Sequence, residues 1–164
     1  MKSKAKKPRK TAKPRGISES QAIAGLYFDL LGAWNSRQAK AMARLYAPAG
    51  GQVGFDGSTA NGPKEIQALL TPIFEHHPTA RFIAKIREIR MLGKDAAILR
   101  AVAGMIAPGK SDLIPDRNAI QTLVASRAPQ GRWRIEMFHN TPARFDGQPE
   151  ESEKLTAELR ELLS

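Results

Sequence analysis

The chain contains no cysteine. That excludes a disulfide framework, a thiolate nucleophile and any cysteine-based zinc or iron–sulfur centre. Histidine is scarce, three in 164 residues. No ligand spacing repeats among them, so no metal is expected. A Gly-rich phosphate loop, a GxSxG elbow and a dinucleotide fingerprint are also missing, and no cofactor such as nicotinamide or flavin is expected. No apolar run approaches the roughly 20 residues a membrane span requires. The first apolar stretch, Ala22 to Trp34, is interrupted by Asp29 and is not followed by a small-residue cleavage site, which argues against a secretory signal. These absences fit a soluble protein of a reducing, cytoplasmic compartment.

The charge is unevenly distributed. The formal net charge is +10, but residues 1–15, MKSKAKKPRKTAKPR, hold eight Lys or Arg and no acid. Taking those eight from the total of 26 leaves 18 basic against 16 acidic residues, a net of only +2. The basicity belongs to a tail. A run of this kind, with two prolines and no large apolar residue, is expected to be disordered over residues 1–16. Its charge permits weak, salt-dependent contact with nucleic acid, but it has no aromatic residues to stack on bases.

Residues 17–164 read as one domain. Ser18 followed three residues later by Gln21 predicts a capping box, and Ile23, Leu26, Tyr27, Leu30, Leu31 and Trp34 form one helical stripe. Ser36 is expected to cap a second helix through Met42, Leu45 and Tyr46, ended by Pro48-Ala49-Gly50-Gly51. Gln52 to Phe55 reads as a short strand stopped by Asp56-Gly57. Pro63 then opens a third helix, in which Pro72 should kink the last turn. Beyond His76-His77-Pro78 the period changes. Arg81–Met91, Ala96–Ile106, Ala119–Arg127 and Arg132–Asn140 read as four strands, with a long exposed connection between the second and third. Pro149 to Leu163 predicts a short terminal helix, its first-turn acids favoured by the helix dipole. Helices first and a meander of strands afterwards imply an α+β fold: a cone-shaped, curved antiparallel sheet packed against three helices. The wide end of such a cone is hard to fill with side chains and often holds a ligand.

The order of elements resembles the nuclear transport factor 2-like superfamily, which includes SnoaL-like cyclases, ketosteroid isomerases and kinase association domains. The words GFDGS, GPKEI, HHPTARF, NAIQTLV and GRWRI followed by NTPARFDGQPE resemble the SgcJ/EcaC-type group within it. Members of that group are labelled oxidoreductase-like or of unknown function. The resemblance implies a ligand cavity and a homodimer. Many relatives carry an aspartate just after the first helix, where this chain has Gln38 in Trp34-Asn35-Ser36-Arg37-Gln38-Ala39.

The last strand supplies the candidate chemistry. Strict alternation puts Trp133, Ile135, Met137 and His139 on one face, which is expected to look inward. An inward imidazole at the strand end can act as general base or acid. Asp56, at the end of the first strand, is its candidate carboxylate partner, although Asp-Gly is also a common turn. Candidate ligand contacts are Gln121, Asn140 and Asn118, with Trp34, Tyr27 and Phe55 as apolar wall. Parity alone leaves open whether Gln121 or Asn118 faces the cavity. Arg100, among Ile98, Val102 and Ile106, needs a carboxylate, which Glu88 or Glu136 can provide on the convex face or at a dimer seam. The expected activity is binding of a small, mostly apolar molecule, with acid–base chemistry through His139. The alternatives are a non-catalytic dimerisation or ligand-sensing module, or a nucleic-acid-associated protein working through its tail.

Overall fold

The structure, a computed structural model, describes residues 16–164. The basic run at residues 1–15, and with it the expected disorder and nucleic-acid contact, lies outside the described residues. No helix of the described residues is long and apolar enough to cross a membrane.

Helix α1, Glu19–Asn35, begins with the predicted capping box. Ser18 Oγ accepts from the Gln21 N–H and Gln21 Oε1 accepts from the Ser18 N–H. Its buried face is Ile23, Leu26, Tyr27, Leu30 and Leu31. Ser36 closes this helix and does not open the next one. Arg37 follows at φ 56, and α2 is only Ala39–Ala43. The expectation that this helix runs to Tyr46 fails because Tyr46 already belongs to strand β1, Tyr46–Val53. The Leu45 carbonyl accepts from the Ile135 N–H at 2.9 Å, so a neighbouring strand takes the chain over. Pro48-Ala49-Gly50-Gly51 lies within β1 as an irregular loop-out between Tyr46↔Ile135 and Gly51↔Met137. There the backbone passes so near its neighbour that a Cβ on Gly50 would sit 2.2 Å from the Ile135 oxygen. Only glycine tolerates that approach.

Strand β2, Thr59–Asn61, pairs antiparallel with β1, and helix α3, Gly62–His76, continues through Pro72 to His76. The meander comprises β3 Arg81–Met91, β4 Ala96–Ile106, β5 Ala119–Arg127 and β6 Trp133–Pro142, each paired antiparallel with the next. The order across the sheet is β2-β1-β6-β5-β4-β3. Since β1 runs parallel to β6, the sheet is mixed, where strand order alone suggested an antiparallel one. It is curved and does not close.

The main core joins α1, α2 and α3 to one face of this sheet, through Leu99, Ala101 and Ala103 of β4 and Leu123 and Ala125 of β5. Helix α4, Pro149–Arg160, packs on the other face. Its Leu155 and Leu159 meet Val102 and Ile106, the opposite parity of β4, together with Leu113. The connection expected to lie exposed is so over most of its length but is pinned at buried Leu113, which bridges to Ile106.

Polar contacts hold α4 at its edges. Arg87 grips Glu158 with both guanidinium nitrogens, Lys85 Nζ lies 2.9 Å from the same carboxylate, and Arg160 makes two bonds to Asp112. The Arg87 hydrogen bonds, followed by that from Lys85, hold the Glu158 carboxyl down to about 2 from an ordinary 4.5. A carboxyl depressed by folding stabilises the fold above its ordinary value, and that contribution is lost as pH falls through the folded one. Thermal melts from pH 7 to pH 2 are expected to show Glu158→Gln costing about 1 kcal/mol at neutral pH. The difference from the parent chain should vanish between about pH 4.5 and pH 2. A difference independent of pH would contradict this.

Candidate functional site

Between the helices and the inner face of the sheet lies a cavity of about 300 Å³. Leu30, Leu31 and Trp34 of α1 and Leu69, Leu70 and Ile73 of α3 form much of its apolar wall. The end of α1 is fixed by bonds to the strand that follows α3. The Trp34 indole N–H donates to the Ala80 carbonyl at 2.9 Å. Asn35 donates to the Phe82 carbonyl and accepts from its N–H. Trp34 also meets Phe74 edge-on, with centroids 5.2 Å apart. Gln38, at the place where the sequence resemblance implied an aspartate, is exposed ahead of α2 and does not line the cavity.

The polar lining depends on the register of β6. Ala125 pairs with Ile135 but Val124 pairs with Met137, so Glu136 is an extra residue in β6. Ser126 Oγ donates to its carboxylate. A bulge of one residue exchanges the two faces of a strand beyond it. Trp133 and Ile135 point inward before it, and Phe138 and Asn140 point inward after it. The inward placement expected for His139 is thereby corrected. His139 is exposed on the outer face, opposite Thr122, with Met137 beside it, and is not part of the cavity.

Asn140 takes the inward position and is 6% exposed. Opposite it, Gln121 is fully buried, which settles the parity of β5. The Tyr27 hydroxyl donates to Gln121 Oε1 at 2.5 Å, and Gln121 Nε2 donates to Asn140 Oδ1 at 3.1 Å. A second pair repeats the pattern, with the Tyr46 hydroxyl donating to Gln52 Oε1 at 2.8 Å. Burial pushes both phenols well above their ordinary range, so they remain neutral donors. With their oxygens occupied, Gln52 and Asn140 keep their NH₂ groups without a partner among the described residues. Both side chains line the cavity.

Two charged residues also line it, and both are exposed. Asp56 accepts from the Ser58 hydroxyl at 2.7 Å and from the Ser58 N–H at 3.0 Å. These bonds, the hydroxyl's first, lower its pKa. It is thus a turn-forming carboxylate that stays ionised, and it does not meet His139 as expected of a catalytic partner. Arg117 closes the short helical turn Pro115–Arg117 and has no carboxylate in ion-pair reach among the described residues.

Of the other predicted ligand contacts, Trp34 and Phe55 line the cavity, and Phe55 also borders a larger, more open hollow beside the β6–α4 connection. Tyr27 and Gln121 stand one layer behind the lining. Asn118 lies apart from it: buried, it donates to Thr156 Oγ1 at 2.7 Å and ties β5 to α4, leaving its Oδ1 without a partner among the described residues. Arg100 bonds Glu88 at 2.8 Å on the outer face, one of the two partners anticipated for it. The sequence reading missed Gln52 and Arg117. Gln52 is an isolated amide just past the irregular stretch of β1, and Arg117 is a lone charge at the end of a loop.

No family model and no curated protein matches this sequence. Solved structures do. A domain of unknown function with a cystatin-like fold from Nostoc punctiforme superposes with a TM-score of 0.73 at 22% identity, covering 91% of this chain and 94% of that one. An NTF-2 like protein of unknown function from Shewanella oneidensis gives 0.62 at 21% identity over 76% and 99% of the two chains. A ketosteroid isomerase-like protein from Erwinia carotovora atroseptica gives 0.60 at 17% identity over 74% and 94%. The fold is thus that of the nuclear transport factor 2-like superfamily, as the sequence resemblance implied.

Removing the Tyr27 hydroxyl leaves Gln121 Oε1 buried without its donor. An unsatisfied buried acceptor costs about 1–3 kcal/mol. Urea denaturation of Tyr27→Phe should show a loss in that range with unchanged far-UV circular dichroism. A loss well under 0.5 kcal/mol would mean that the network does not hold Gln121.

Proposed function

We propose that this chain is a small-molecule-binding domain that seats a compact, largely apolar ligand under the inner face of its sheet. The observation that carries it is the pairing of an apolar cavity with two buried amides whose oxygens are occupied, that of Gln52 by the Tyr46 hydroxyl and that of Asn140 by Gln121 Nε2, leaving their NH₂ groups for the cavity. These NH₂ groups open onto the cavity, where a ligand oxygen can accept from them. Binding is the activity this arrangement supports. The charged residues of the lining, among those described, are Asp56 and Arg117 at the rim, and the Ser58 bonds that lower the Asp56 pKa keep that carboxylate ionised and a poor base near neutral pH. Within the superfamily, the words quoted above support a place beside the SgcJ/EcaC-type group.

The test is native mass spectrometry of the purified chain alongside Ile73→Trp, which fills the cavity. A co-purifying molecule of a few hundred daltons is expected in the parent and absent from a folded Ile73→Trp variant. If ligand remains at full occupancy when the cavity is filled, it sits elsewhere and the proposal fails.

A second reading, dimerisation through the sheet, is favoured by the outer face. Ile120 and Met137 are 39% and 38% exposed there, on neighbouring strands β5 and β6. Exposed apolar residues on an uncovered sheet face suit a partner of the same kind. Light scattering is expected to give a dimer for the parent chain and a monomer for Met137→Lys, with ligand capture retained. Equal masses for the two would remove Met137 from any interface.

A further inference from the structure

Resting on that cavity reading, we infer that the ligand is a monocarboxylic acid with an apolar body, its carboxylate directed to the Arg117 end of the cavity and bonded by Gln52 and Asn140. The polar side chains of the lining offer mainly N–H. Gln52 Oε1 and Asn140 Oδ1 are already taken by Tyr46 and Gln121, so each amide presents only its NH₂ group, and each is less than a tenth exposed. Arg117 adds a positive fork at the exposed rim and has no carboxylate partner among the described residues.

A carboxylate accepts only, through two oxygens and about four lone-pair sites, and unlike a ketone or ester it carries the charge that pairs with a guanidinium in two parallel bonds. An alcohol or primary amide would leave some of these donors unmatched and would bring donors of its own. Asp56 does not reverse the preference. Its carboxylate is engaged by the Ser58 hydroxyl and N–H and stays at the exposed rim. It does disfavour a second negative charge, so a monoanion fits better than a phosphate or a dicarboxylate. The remaining walls, from Leu30 and Trp34 to Leu69 and Ile73, suit an alkyl or aryl body.

Isothermal titration of the full chain with hexanoate, benzoate and phenylacetate, each beside its primary amide, tests this. At least one acid should bind about tenfold more tightly than its amide, the expected gain from a charge-assisted bond. The ratio should fall toward one in Arg117→Gln, an exposed substitution that leaves the melting temperature unchanged. An amide binding as well as its acid, or an acid preference that survives Arg117→Gln and Asn140→Leu alike, would overturn the carboxylate inference while leaving the cavity reading standing. If neither series binds and no molecule co-purifies, the cavity reading itself falls, and this inference with it.

Discussion

Ser126 and Glu136 meet across the β5–β6 ladder where β6 carries one residue more than its partner, and the cavity's chemistry depends on that meeting. Before the bulge, the inward set of β6 is Trp133 and Ile135. After it, the inward set is Phe138 and Asn140. A strand has a side-chain period of two, so one added residue moves every later side chain to the opposite face. The consequence is chemical as well as geometric. A titratable imidazole goes to the outer surface, and a neutral amide takes its place over the cavity.

The amide would orient poorly alone. Asn140 is held by Gln121, and Gln121 by Tyr27, a side chain from α1 more than 90 residues earlier in the chain. Gln52 is held in the same way by Tyr46. A donor set behind each amide, the Tyr46 hydroxyl for Gln52 and the Gln121 NH₂ group for Asn140, fixes which end of it faces inward, and in low dielectric such a bond is strong enough to hold that end. Both networks finish on N–H groups, so the cavity has a definite polarity although its walls are mostly apolar. The irregular stretch of β1 contributes too. By looping out at Pro48 to Gly50, it lets Tyr46 pair near Ile135 while Gln52 comes level with Phe138.

The two faces of the sheet have separate tasks. Helices α1 and α3 roof the inner face and leave a hollow between them, whereas α4 covers only part of the outer face through Leu155 and Leu159. Charged contacts from Glu158 to Lys85 and Arg87 fasten that helix at one edge. The uncovered remainder exposes Ile120 and Met137. The cavity and the uncovered apolar residues therefore lie on opposite sides of the same sheet.

The amino-acid sequence by itself determined the elements and their order. The capping box at Ser18 and Gln21, the stripe of α1, the proline opening α3 and the four-strand meander are all local patterns, and local patterns survive tertiary packing when strong and repeated. Through that order of helices and strands it also indicated the cone-shaped α+β fold. It did not determine β1, because Tyr46 follows helical spacing until Ile135 is brought alongside it by the rest of the fold. Nor could it reveal the bulge at Glu136, since alternation from Trp133 to His139 looks regular along a single strand. Only pairing with β5 shows that the count is off by one. Which amide end faces the cavity, and that Arg117 stands at its rim, were likewise decided by contacts between residues far apart in the chain, and such contacts leave no periodic trace in either segment.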